Sequence, residues 1–124
     1  MRHGTVEISI KESLIICRPI GAFNMDSVLY YERSVNQQLK TLKGQKWALL
    51  NSYQDFETCG PDVIERLRNQ LIWCNKHGCE VIGFVTFNSL QNYFVKEVTK
   101  GISFRYMEVF SDQEEAESRL LQEL

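Results

Sequence analysis

Three nearly unbroken apolar runs, Leu14 to Cys17, Trp47 to Leu50 and Val81 to Phe87, alternate along this chain with stretches whose apolar residues recur every third or fourth position. A strand that is apolar on both faces has to be covered on both faces, and helical crossovers between such strands make a parallel sheet. The pattern predicts an α/β domain. Ahead of the first run, Val6, Ile8 and Ile10 alternate with Glu7 and Ser9, the period of a strand with one wet face. This predicts an antiparallel edge strand, joined to the second strand through the polar turn Lys11 to Ser13. Pro19 and Gly21 are expected to end that second strand.

The helical stretches can be placed by their stripes and caps. From about Asp26 to Leu42, Val28, Tyr31, Val35, Leu39 and Leu42 share one face, with Glu32, Arg33, Asn36 and Lys40 turned outward. Asn24 or Asp26 can cap this helix, and Lys43-Gly44 stops it. A polar loop from Asn51 to Gly60 leads into Pro61-Asp62, residues suited to a first helical turn, and the stripe Val63, Leu67, Leu71, Cys74 runs to about His77. Glu80 to Phe87 reads as a strand at the sheet centre. Asn88 or Ser89 then opens a shorter helix carrying Leu90, Phe94 and Val98 on one side. A last strand is expected from Gly101 to Phe110, and the spacing Ser111-Asp112-Gln113-Glu114 predicts a capped helix burying Ala116, Leu120 and Leu124. The order is ββαβαβαβα: a mostly parallel five-stranded sheet with an antiparallel N-terminal edge strand.

With 124 residues and no linker or repeat, residues 1–124 are expected to form a single domain with one core. A hydrophobic fraction of 44% with 24% charged residues excludes a disordered chain. The net charge of −2 lacks the basic excess of a phosphate-binding surface, so nucleic acid is not an expected partner. Residues 111 to 124 carry five acids against Arg119, a net −4 that leaves the rest of the chain at +2. That acidity reads as a solvated helix face, with a docking surface for a basic partner as the other reading. No run approaches the ~20 apolar residues of a membrane span, and Met1 to Glu7 has no signal-peptide pattern. The expected setting is cytoplasmic, with Cys17, Cys59, Cys74 and Cys79 as reduced thiols.

Several stretches together, the two-strand start, Gly21-Ala22-Phe23-Asn24, Gly44 to Leu50 and Val109 to Ala116, resemble the SpoIIAA-like STAS domains, anti-sigma-factor-antagonist-type modules. The likeness, nearest to their STAS/SEC14-like bacterial branch, covers nearly the whole chain. It implies a STAS/SpoIIAA-like fold and a partner-binding surface made by the loop after the third strand and the helix that follows. In antagonist modules that loop reads Asp-Ser-Ser-Gly, and a kinase phosphorylates the serine before the glycine. Here it reads Glu57-Thr58-Cys59-Gly60, with Cys59 at the acceptor position and Thr58 one place early. The resemblance therefore places Thr58, Cys59, Gly60 and Asp62 near an interface and does not carry the phosphoswitch. Glu57 and Asp62 would also repel a phosphate on Thr58, so the loop is expected to stay unphosphorylated.

Other chemistries have weaker patterns. Cys59 before a helix start feels the positive end of the dipole and could serve a redox sensor or thiol enzyme, although the neighbouring Asp62 opposes a thiolate. Cys74-x-x-His77-x-Cys79 holds soft ligands, but Cys74 continues an inner stripe and the spacing matches no zinc pattern. No metal or other cofactor is expected, and no Gly-rich phosphate loop is present. Open parallel sheets bind ligands past the carboxyl ends of their strands. Phe23 and Asn24, then Asn51, Tyr53, Asp55 and Phe56, then Phe87, Asn88 and Tyr93 converge there. These either line a site for a small, apolar ligand or plug the end of the core. The reading is a non-catalytic regulatory or binding module that engages a protein or small ligand around residues 51–62; a homo-oligomer is compatible with it.

Overall fold

The computed structural model describes residues 3–124; Met1 and Arg2, the start of the segment read above for a signal peptide, lie outside the described residues. The elements follow the order β1 (Thr5–Lys11), β2 (Leu14–Phe23), α1 (Met25–Leu42), β3 (Trp47–Ser52), β4 (Asp55–Cys59), α2 (Pro61–Lys76), β5 (Cys79–Val85), α3 (Ser89–Val98), β6 (Tyr106–Phe110) and α4 (Gln113–Glu123). The sheet runs β1-β2-β3-β5-β6, with β1 and β2 antiparallel and the remaining pairs parallel. β3 is its middle strand, and β5, expected at the centre, is the interior strand next to it.

Two differences from the sequence reading concern how β2 is paired. β2 passes through Pro19 and Gly21 to Phe23. It pairs with β3 over Leu14 to Cys17 and with β4 over Ile20 to Phe23, so Arg18 and Pro19 fall in the gap between the two pairings. A residue without an N–H costs a sheet least where the ladder is already interrupted. The polar loop expected from Asn51 to Gly60 contains β4, a sixth strand that continues the line of β3 after a break at Tyr53 and Gln54. Its register slips between Gly21 and Ala22, leaving Glu57 as an extra residue. A bulge of this kind breaks the period-two alternation that would have marked the strand.

The helices divide unevenly between the faces. Packed on one face, α1, α2 and α3 enclose a core of Ile15, Cys17, Val28, Val35, Leu49 and Phe84, with Leu71 and Cys74 of α2. On the other, α4 alone covers Leu14, Leu50, Val81 and Val85 with Ala116 and Leu120. Gly83 permits this approach, because a Cβ there would lie 2.8 Å from Leu120 Cδ1 and 3.1 Å from Phe110 Cε2. Full burial of Leu120 contributes about 1.5–3 kcal/mol to holding α4 down.

Caps set the helix ends. Asn24 accepts from the Ser27 amide at 3.0 Å while its own N–H donates to Ser27 Oγ, a reciprocal box that starts α1. Lys43 closes α1 in the left-handed region at φ 51°. Asp112, one residue later than the expected serine, caps α4 by accepting from the Glu115 amide at 2.9 Å. β6 begins at Tyr106 rather than Gly101; Ile102 and Phe104 still pack on the core, but from irregular backbone. Leu90 is turned to solvent rather than inward, and Leu124 is also exposed. The α3 stripe is Gln91, Phe94, Val95 and Val98, an amide taking the place of an aliphatic residue. No helix among the described residues is long and apolar enough to cross a membrane.

Candidate functional site

Three segments meet at the carboxyl ends of the parallel strands: the end of β2 with the α1 cap, β4 with the start of α2, and the start of α3. Phe23 lies opposite Cys59 in the β2–β4 register, which sets the Asn24 cap beside the first turn of α2. Gly60 is the N-cap of α2 and offers no side chain to its amides, while Pro61 occupies the first turn. Asn88 caps α3 by accepting from the Gln91 amide at 2.8 Å. Gln91 then reaches back. Its Nε2 donates to the Tyr53 carbonyl at 2.8 Å and to the Phe56 carbonyl at 3.5 Å, and its Oε1 accepts from the Phe87 amide at 2.8 Å. One buried amide thus fixes the β3–β4 break against the start of α3.

Beneath these segments the aromatics close the core. Phe56 meets Phe23 edge-on at 5.6 Å and Phe94 at 4.9 Å, and Tyr53 sits 5.3 Å from Phe56 and 5.4 Å from Phe94. Asn51 is buried, its Oδ1 accepting from the Tyr31 hydroxyl at 2.8 Å. The cavity left among these side chains measures about 20 Å³, room for about one water. Burial keeps the Tyr31 and Tyr53 phenols neutral by raising both pKa values far above the ordinary range.

The predicted site residues thus separate by role. Asn24 and Asn88 are helix caps, Phe23, Asn51 and Tyr53 belong to the core, and Asp55 faces solvent, paired with Arg18 at 3.1 Å. Thr58, Cys59, Gly60 and Asp62 remain at the surface or half-buried, all on the stretch from late β4 to early α2. Facing them from α3 are Leu90 and Tyr93, 67% and 59% exposed, whereas Phe87, 53% exposed, lines a separate cleft with Ile16, Arg18 and Gln54. Between the two lies a groove of about 170 Å³ with Phe56, Ile64 and Phe94 at its base and Thr58, Leu90 and Tyr93 at its walls. Leu90 was not legible as a surface residue, because an apolar residue four before Phe94 reads as core; the signal was the buried amide beside it.

The electrostatics of Cys59 run against a reactive thiolate. Burial, and after it the Asp62 carboxylate, push its thiol up to about 11. At pH 8 such a thiol is ionised roughly a hundredfold less than a free cysteine of pKa about 8.5. Cys59 is therefore expected to alkylate at least about tenfold more slowly than glutathione at that pH, and Asp62→Asn to speed it up. A rate equal to that of the free thiol would restore the redox reading. Cys17, Cys74 and Cys79 are fully buried and do not compete in the measurement.

The soft-ligand pattern does not assemble. Cys74 receives a weak bond from Gln70 Nε2 at 3.6 Å and Cys79 donates to the Val81 carbonyl at 3.4 Å, both within the core. His77 is exposed, stacked on Trp73 at 4.0 Å with Nδ1 2.7 Å from the Trp73 carbonyl. Among the described residues no three His, Cys, Asp or Glu side chains are grouped to hold a metal.

No family model matches the chain, and no curated protein matches it. Solved structures do. The chain superposes with a TM-score of 0.70 on an uncharacterised protein of the DUF3478 family, with a SpoIIAA-like fold, from Shewanella loihica PV-4, at 11% identity over 97% of this chain and 95% of that one. The fold is SpoIIAA-like. An anti-sigma factor antagonist from Mycobacterium paratuberculosis superposes with a TM-score of 0.63, at 11% identity over 95% of this chain and 94% of that one. At that identity the likeness concerns the SpoIIAA-like architecture alone, and function has to be argued from the site.

Proposed function

We propose that this domain is a non-catalytic regulatory module that binds a protein partner at the end of the sheet bounded by residues 51–62 and the start of α3. The observation that carries this reading is the pair of exposed side chains Leu90 and Tyr93 on α3, at the wall of the groove. Scattered apolar residues on a surface need no explanation, but two large ones at the wall of an apolar groove are a candidate interaction surface. The SpoIIAA-like neighbour that is an anti-sigma factor antagonist supports a regulatory role. The size of the groove favours a protein over a small molecule, since ligand pockets usually span about 300–1,000 Å³. Cys59, held as a thiol, favours binding over redox chemistry. Buried, reduced cysteines suit a reducing compartment such as the cytoplasm.

Recognition in this reading does not use a phosphate on Thr58. The test is capture from the native host with the tagged chain and its Leu90→Glu variant. The expected result is one stoichiometric partner, identified by mass spectrometry, that is lost with the variant, while the intact mass of the bait shows no phosphate. Equal capture by both chains would overturn the proposed surface, and a stoichiometric phosphate on Thr58 would restore a phosphoswitch.

A further inference from the structure

Resting on that proposed function, we infer that the partner enters the groove as an extended apolar segment flanked by lysine or arginine, added as a strand to the outer edge of β4. β4 is hydrogen-bonded to β2 along one edge, and no strand among the described residues pairs with the other. The outer edge faces α3, because the Phe56 carbonyl points to Gln91 on that side. Gln91 takes the Phe56 carbonyl, and beyond it, over Glu57 to Cys59, an edge without a strand partner beside an apolar groove is the geometry that recognises a peptide by strand addition, with alternate side chains entering the groove. The volume of about 170 Å³ is that of roughly five or six waters, enough for one or two side chains.

Charge complementarity selects the flanks. Residues 51–65 carry Asp55, Glu57, Asp62 and Glu65 and no lysine or arginine, and residues 86–95 carry no charge. Arg18 neutralises Asp55, whereas Glu57, Asp62 and Glu65 make no ion pair among the described residues. The first lysine on α3, Lys96, lies six residues beyond Leu90 and is turned about 120° away from it round the helix. The rim is thus acidic on the side of β4 and α2 and neutral on the side of α3. An acidic segment or a second copy presenting the same rim would meet like charge.

The test uses two nine-residue peptides with the same alternating valine–threonine core, one ending in two lysines on each side and the other in two glutamates. Binding is followed by amide chemical shifts in the full chain. The lysine-ended peptide is expected to shift Thr58, Cys59 and Leu90 and to bind at least about tenfold tighter than the glutamate-ended one at low salt, a gap that closes as salt rises. Glu57→Lys combined with Asp62→Lys, both exposed positions, is expected to reverse the preference, with an unchanged melting curve showing the fold intact. Equal binding of the two peptides, or shifts confined to another surface, would overturn the inference. A native partner captured while the lysine-ended peptide stays silent rejects the inference and leaves the proposed function standing. Peptide binding without a captured partner keeps the groove chemistry and rejects the function.

Discussion

Cys74→Asp is expected to cost about 3–5 kcal/mol, the penalty of an uncompensated charge in a dry core, against a total stability of about 5–15 kcal/mol for a domain of ordinary size. Cys74 has no exposed surface, and burial together with the Glu32 carboxylate pushes its thiol up to about 12. The same two causes would act on an aspartate. Because they favour its neutral form, the penalty is smallest below about pH 4 and grows as pH rises through the elevated folded pKa. Lys40→Asp, on the exposed last turn of α1, sets the comparison: an acid near the negative end of a helix dipole costs under about 1 kcal/mol. Urea denaturation of the two variants measures both. Similar small losses would mean that α2 does not present Cys74 to the core.

Gln91→Leu is expected to cost about 1–3 kcal/mol, even though leucine is apolar and of similar size. The substitution strands the Phe87 amide, bonded at 2.8 Å, and an unsatisfied buried group costs about 1–3 kcal/mol; the Tyr53 carbonyl loses its 2.8 Å donor but still accepts from the Phe56 amide at 3.2 Å. The Phe56 carbonyl, at 3.5 Å, adds little. Gln91→Glu keeps an acceptor for the Phe87 amide but points a carboxylate at two carbonyls, so it is expected to be no better. Chemical denaturation gives the magnitude, and a loss below about 0.5 kcal/mol for the leucine variant would show that water replaces the amide without penalty.

The interior strands and the helices were legible because burial on both faces and the 3.6-residue period leave direct traces: Leu14 to Cys17, Trp47 to Leu50 and the Val28-Tyr31-Val35 stripe all stand where the sequence puts them. The site was legible only in part. Thr58, Cys59, Gly60 and Asp62 could be placed at the start of α2 from Pro61 and the turn before it. β4 was hidden by its bulge, and by having Phe56 as its only buried residue. Asn24, Asn51 and Asn88 carry polar groups that sequence cannot distinguish from ligand contacts, since caps and a tyrosine's hydrogen bond consume them only once the chain has folded. Leu90 escaped for the opposite reason, its outward turn being set by a hydrogen-bonded glutamine one residue later.

The change of partner along β2 gives the sheet two grades of permanence. β3 is held between β2 and β5, so opening it means breaking the centre of the molecule. β4 is held by the last four residues of β2, by the Gln91 amide and by Phe56. Segments secured this way open locally at a free energy well below that of global unfolding. Backbone amides of Asp55 to Cys59 are therefore expected to exchange fast and those of Trp47 to Ser52 slowest, although the two strands lie end to end. An added strand on the free edge would slow the first group, so that amide exchange along one line of backbone records whether the site is occupied.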